Sequence, residues 1–311
     1  MDERDLIRHF FGEPGVDPAA KARARLLLGE AMQGRRRDVS RIGVAAAIVA
    51  VLVVSALVWS TSRPRSAAAR ALDDLAAVPY TALEPGSGEY LHQVSEEVRT
   101  EAQEVLGGGE VRAQVLLDVD QWLREDGSGE VRSVTRAVTF PSPEDERAWS
   151  ESGGPPLPVA GRLVRDEFGP GEGPLVAAED IPVDPDLLVT SLRDGSIAPY
   201  GQGDALAFAL IGDLLAQGNL PGPTRTALLS AATTLDGVRL LGPDEDQLGR
   251  EGESFSVRAT NVETRLLFDP DTGGLLSRET YEQTPSGAWD LVGWQAYISV
   301  ELVRRIPAAA S

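Results

Sequence analysis

The chain of 311 residues has no cysteine, two histidines and, after Lys21, no lysine. Disulfide frameworks, thiolate metal sites, cysteine nucleophiles and thiol redox chemistry all need the missing sulfur and are excluded. A catalytic lysine downstream of Lys21 is excluded in the same way. Basic charge is scarce as well: 29 Lys and Arg face 48 Asp and Glu, a formal charge of −19. The imbalance is uneven. Met1 to Arg41 carries a net of +2, no charged residue occurs from Ile42 to Ser62, and the remainder carries −21. Phosphate backbones require clustered Lys and Arg, so nucleic acid is not an expected partner of the acidic part. No G-x-S-x-G elbow and no glycine-rich phosphate loop with a following lysine is present, which removes the usual serine-hydrolase and P-loop signatures.

One long hydrophobic run is present. Ile42 to Trp59 has Ser55 as its single polar side chain, and at about 1.5 Å rise per residue it would extend roughly 27 Å, close to the bilayer hydrocarbon. Trp59 ends the run where an interfacial aromatic belongs. Six basic residues lie within about twenty positions before it and three after it, which predicts a cytoplasmic amino terminus. The rival is a cleaved signal peptide with Ala67-Ala68-Ala69 as the cleavage site. Against it stand the forty-one-residue leader and the polar Arg63-Pro64-Arg65 before that site. The expected organisation is a cytoplasmic basic leader (1–41), a single transmembrane helix in the cell membrane (42–60), a juxtamembrane helix (61–80) and an extracytoplasmic domain (81–311). In the leader, Leu6, Phe10 and Phe11 recur at helical spacing and are the candidate docking residues for a cytosolic partner.

After the run, Ser66 to Val78 reads as a helix continuing from the membrane. Strand alternation then sets in, with Tyr90, His92, Val94 and Val98 on one face, and Val111, Ala113, Val115, Leu117 and Val119 in the next segment. Glu130 to Phe140 is a third strand. Fifteen of the forty-five residues from Pro141 to Pro185 are Gly or Pro, which predicts a long surface insertion over 141–185. Three helices follow, from Pro185 to Leu192, Asp204 to Gln217 and Thr224 to Leu235. The second is apolar nearly all round, as a helix covered on several sides would be, yet too short to span a bilayer. Strands return over 255–259 and 262–268, followed by a turn at Asp269 to Gly274. In the last strand Val292, Trp294, Ala296, Ile298, Val300 and Leu302 alternate without a break, predicting a continuous core-facing stripe. The fold class expected is α+β, a transmembrane helix followed by a curved antiparallel sheet covered on one face by helices. The groove between sheet and helix, with Phe208, Leu214 and Trp294, is the candidate binding site for an apolar envelope lipid or lipoprotein.

Signals for chemistry are weak. His92 reads as a core or rim residue. Asp269 to Gly274 departs from a calcium loop and reads as a hairpin turn. No catalytic residue, metal ligand or cofactor is expected, although a carboxylate pair acting on envelope polymers needs no further motif.

Several stretches in order carry a resemblance: Gly88-Glu89-Tyr90-Leu91, Leu214-Leu215, Leu220-Pro221-Gly222-Pro223-Thr224-Arg225-Thr226-Ala227-Leu228, Asp236-Gly237-Val238, Gly249-Arg250 and Phe268-Asp269-Pro270-Asp271-Thr272-Gly273. Together they resemble a family of membrane-anchored proteins of high-GC Gram-positive bacteria that has no established activity and often accompanies sigma-factor regulatory genes. The resemblance implies an anti-sigma-like or sensory role, with a sigma factor or other cytosolic regulator as partner. It also implies an outer domain similar to the half-barrel of lipoprotein carriers and periplasmic regulators of sigma-factor release. The chain departs from the zinc-binding anti-sigma pattern, since its leader has only His9 and no cysteine.

Overall fold

The computed structural model describes residues 66–104, 110–151, 157–174, 176–194, 196–197 and 203–308. By its contacts the chain divides between residues 64 and 65. The span expected at Ile42 to Trp59, and the docking residues Leu6, Phe10 and Phe11, lie outside the described residues. No helix among the described residues is long and apolar enough to cross a membrane.

The described residues of the second unit form an α+β domain built on one open, wholly antiparallel nine-stranded sheet with five helices. Helix α1 (Ala67–Ala77) comes first, followed by β1 (Tyr90–Glu104), β2 (Glu110–Leu123) and β3 (Gly129–Thr139). Next are α2 (Pro143–Glu151), β4 (Leu163–Phe168) and a 3-10 turn at Ala178–Asp180. Helices α3 (Pro185–Asp194), α4 (Asp204–Ala216) and α5 (Gly222–Ala232) then lead to β5 (Arg239–Glu245), β6 (Glu251–Ala259), β7 (Val262–Phe268), β8 (Leu275–Gln283) and β9 (Trp289–Val303). Strand order across the sheet is β4-β3-β2-β1-β9-β8-β7-β6-β5. The first meander therefore runs outward to the β4 edge, and the chain must cross the whole sheet before the second meander returns from β5 to the middle. Helices α3, α4 and α5 are the crossing segment, which is why they cover a face.

That face holds the main core. Phe208, Ile211 and Leu214 of α4 pack with Leu188 and Leu192 of α3, Leu228 and Leu229 of α5, and Phe255, Val257, Leu266 and Phe268 of the sheet. Phe255 and Phe268 meet edge to face at 5.8 Å, and each buried ring contributes about 1.5–3 kcal/mol of apolar transfer. Gly212 allows α4 close to the sheet: a Cβ there would meet Leu266 at 2.6 Å. A smaller cluster on the same face joins Trp149 of α2 to Val111 and Ala113 of β2.

The structure refines some expectations and corrects another. The helix expected over 66–78 is α1, Ala67–Ala77. Ser66 has extended backbone and its Oγ accepts the Ala69 N–H at 3.0 Å, so it is the N-cap of this helix. The helix is also part of the domain core, with Leu72 and Leu75 buried in the main cluster. The 141–185 stretch, expected as a surface insertion, supplies α2, the edge strand β4 and the 3-10 turn. The final stripe is broken. Val94 pairs with Ser299 and Ser95 with Tyr297, leaving Ile298 as the extra residue of a β-bulge, and a bulge re-aims the side chains that follow it. Ile298 and Leu302 are exposed, while Ala296 and Tyr297 are buried side by side. Register shifts occur in five of the eight strand pairs, the device that bends strands of an open sheet.

Candidate functional site

Between the α3–α5 layer over one half of the sheet and α2 over the other, the middle strands are left without a helix directly above them. A half-open cleft of about 890 Å³ lies there. Its wall is the face of α4 that carries Leu206, Ala209, Leu210, Asp213, Leu214 and Gln217, positions that recur at helical spacing. Its floor is the same face of β1, β2, β8 and β9, including Gln93, Glu97, Gln121, Arg278 and Tyr297. Gly173, Pro174 and Val176, in the strap after β4, close one side.

The floor is polar for a reason visible in the pairing. Gln93, Ser95 and Glu97 alternate along β1, and all three are buried, whereas His92, Val94 and Val98 on the opposite face are only half-buried. Gln93 ties floor to wall, its Nε2 donating to the Ala216 carbonyl at the end of α4 at 2.7 Å. Tyr297 donates to Gln295 Oε1 at 3.1 Å, and Gln295 donates to Ser95 Oγ at 3.2 Å.

Two ion pairs face the space. Glu97, with only a tenth of its side chain exposed, lies 2.5 Å from Arg99 Nη2. Burial pushes the Glu97 carboxyl above its ordinary range, against the pull of Arg99 and, more weakly, Arg278. Asp213 accepts a hydrogen bond from Arg278 Nη1 at 2.5 Å, and burial raises it too, with Arg278 offsetting only part. Burial also raises the Tyr297 phenol, whose charge balance includes Arg278, Asp213 and Glu97. One buried acceptor of this lining, Gln217 Oε1, has no hydrogen-bond partner among the described residues, whereas Glu97 Oε1 is taken up by Arg99. An unsatisfied buried acceptor in a cleft is what a donor-bearing ligand would meet.

Of the residues expected in a groove, Leu214 lines the cleft, Trp294 borders it but pairs with Val98 and so faces the uncovered side, and Phe208 lies outside it. Phe208 points the other way and is wholly buried in the main core. An all-apolar groove is also not what is found, since charged and amide side chains make most of the floor. His92 lies on the uncovered face, its ring stacked on Trp122 at 4.7 Å, with Nε2 2.8 Å from Asp120 and Nδ1 3.2 Å from Glu301. Asp269 makes the β7–β8 turn, accepting from the Asp271 N–H at 2.9 Å and from Thr272 Oγ1 at 2.7 Å. Among the described residues no group of three His, Asp or Glu side chains is placed to hold a metal ion.

No protein-family model matches the chain, and no curated protein matches it. Among solved structures it is similar to MucB in a complex with periplasmic MucA, at 13% identity and a TM-score of 0.27, covering 79% of this chain and 58% of that one. A Pseudomonas aeruginosa MucA/MucB complex gives 12% identity and a TM-score of 0.26, over 78% of this chain and 59% of that one. Lipovitellin, in a study of lipid–protein interactions, gives 9% identity and a TM-score of 0.17, over 73% of this chain and 26% of that one. The chain thus spans less than two thirds of the length of each of these structures.

Proposed function

We propose that this is a noncatalytic, single-pass membrane protein whose extracytoplasmic domain binds or senses a ligand in the α4–sheet cleft while its leader engages a cytosolic regulator, in the manner of an anti-sigma protein. The observation that carries the binding half is the cleft itself. It has a largely apolar wall, a polar floor, and a buried acceptor, Gln217 Oε1, without a hydrogen-bond partner among the described residues. The membrane half rests on the Ile42 to Trp59 run and the arginines before it. The regulator half rests on the sequence resemblance and on Leu6, Phe10 and Phe11. A noncatalytic role is supported by the cleft carboxylates, since Glu97 and Asp213 are each held by an arginine rather than left free as a base.

The apolar wall of α4 supports a second reading, a tethered lipid- or lipoprotein-binding module. Its weakness is the floor, where an acyl chain would desolvate two ion pairs.

The test is quantitative co-purification from membranes with three forms: the full chain, a form lacking residues 1–34, and full-length Ala209→Trp. Ala209 is a half-buried residue of the cleft wall, so an indole there fills the space from a position outside the main core. The expected result is a cytosolic regulator lost with the leader and an envelope ligand lost with Ala209→Trp. An unchanged set of partners in all three forms would overturn the proposal, and bound phospholipid lost in Ala209→Trp would favour the module.

A further inference from the structure

The uncovered face of the sheet carries a feature that the cleft does not explain. Alternation along β1 and its unbroken register with β2 place Tyr90 and His92 opposite to Gln93, and so on the side away from α4. At that end a second hollow, of about 560 Å³, is lined by Arg124, Arg132, Arg165, Arg304 and Arg305, with Glu130 as the one acid of the lining. Five guanidinium groups around one space are unexpected in a chain of net −19. Adding the neighbouring acids, Glu167 at 3.0 Å from Arg165 and Glu89 at 3.8 Å from Arg304, still leaves the arginines in excess.

The site is built from separate elements. Arg132 lies over the Trp122 ring at 4.8 Å, and that ring stacks on His92. The Arg132 Nη2 also donates to the Pro307 carbonyl at 2.7 Å, which folds the carboxy-terminal segment back beside β3. Arg124 sits 4.5 Å over the Tyr90 ring and donates to its hydroxyl at 2.5 Å. Buried Glu130 accepts from Arg132 Nε and from both Nε and Nη2 of Arg165, the latter two at 2.7 Å. Three guanidiniums are thus held in place by the sheet. Arg304 is 90% exposed with only the long contact to Glu89, and Arg305 has no acceptor among the described residues.

We propose that this arginine cluster is a binding site for a phosphoryl group, carried either by an anionic lipid headgroup or by a soluble phosphate compound. A carboxylate matches one guanidinium fork, whereas a phosphoryl group offers three acceptor oxygens and a charge near −2, and so matches a ring of forks arriving from different directions. Arg124, Arg132 and Arg165 supply the fixed part of the ring. Arg304 and Arg305 close over it.

The test uses the full-length protein in neutral-detergent micelles at low ionic strength. One arm titrates inorganic pyrophosphate by calorimetry; the other dopes the micelles with phosphatidylglycerol and follows binding by the melting temperature. The variants are Arg304→Gln/Arg305→Gln, at exposed positions, and a charge-matched control, Arg70→Gln/Arg147→Gln, outside the hollow. The proposal expects saturable, salt-weakened binding in at least one arm, reduced about tenfold or more by the first variant and unchanged by the second. A response to pyrophosphate identifies a soluble phosphate as the source, and a response confined to doped micelles identifies a headgroup. No saturable binding in either arm, or equal losses in both variants, overturns it.

Discussion

Arg225 of α5 donates from Nη2 to the carbonyl of Gly273 in the β7–β8 turn at 2.7 Å, and to that of Leu75 near the end of α1 at 3.2 Å. Its side chain is buried beneath the Tyr80 ring at 4.9 Å, and desolvation depresses its ordinary pKa. A buried cation with backbone carbonyls for partners joins three distant parts of the chain, and it sets an exact limit on the residue at the turn. Gly273 has φ +67°, and a Cβ there would meet Arg225 Nη2 at 2.2 Å. Gly273→Ala is therefore expected to cost about 1–3 kcal/mol from strain and the displaced hydrogen bond. Denaturant unfolding measures this, and in an Arg225→Met background the cost of Gly273→Ala should fall, because the clashing group is gone.

Glu263 is a second buried charge with a different solution. It is fully buried on β7, accepts from Arg258 and from Arg265 Nε at 2.9 Å, and lies 3.5 Å from Arg239. Burial raises its pKa, but the hydrogen bonds and charges of Arg258 and Arg265 win and hold it below its ordinary value. Its contribution is present above the unfolded carboxyl pKa of about 4.3 and is lost as pH falls through the lower folded value. Glu263→Gln should cost about 1–3 kcal/mol at pH 7, less than a wholly buried pair because Arg258 is partly solvated. Urea titrations should show that gap closing in acid.

Glu97 carries the opposite sign. Its folded pKa is raised by burial, so its ionisation opposes folding. Relative stability is full below the unfolded value and declines as pH rises through the folded one. Glu97→Gln should therefore gain on the native sequence between about pH 4 and pH 7, the reverse of Glu263→Gln measured by the same titrations. A constant difference across that range would mean that Glu97 is not desolvated in the cleft.

The contrast between these two carboxylates marks what the sequence could convey. Helix positions and most strands are legible, because Asp184-Pro185, Gly218 and Gly237 punctuate the middle segment and period-two alternation marks the strands. The main core is legible in the apolar circumference of α4. The cleft is not. In β1 the apolar alternation of Val94 and Val98 points to the uncovered face, while Gln93, Ser95 and Glu97 are buried under the crossing helices. The available signal was three polar residues at period two, which reads as a solvated face unless the route of the chain from β4 to β5 is known. In β9 a single bulge at Ile298 reversed an otherwise regular stripe, and bulges leave no trace in hydrophobic period. Phe208 illustrates the same limit, since a helix apolar all round does not say which side meets the core.

The strap that closes the cleft offers the last prediction. Gly171 donates its N–H to the Asp126 carbonyl at 2.6 Å, and a Cβ on Gly173 would meet the Gly127 carbonyl oxygen at 2.0 Å. Both contacts are backbone to backbone, so neither side can yield by turning a side chain. Gly173→Ala should lift the strap off the β2–β3 turn and forfeit the Gly171 hydrogen bond, a local loss of about 1 kcal/mol. The main core is built from α1, α3–α5 and the far half of the sheet, so the global melting temperature should change little. Limited proteolysis between residues 169 and 177 should quicken several-fold, because cleavage there follows local opening rather than global unfolding. Equal cleavage in the two proteins would show that Gly173 is not what holds the strap, whereas a large drop in melting temperature would show that the strap belongs to the cooperative core.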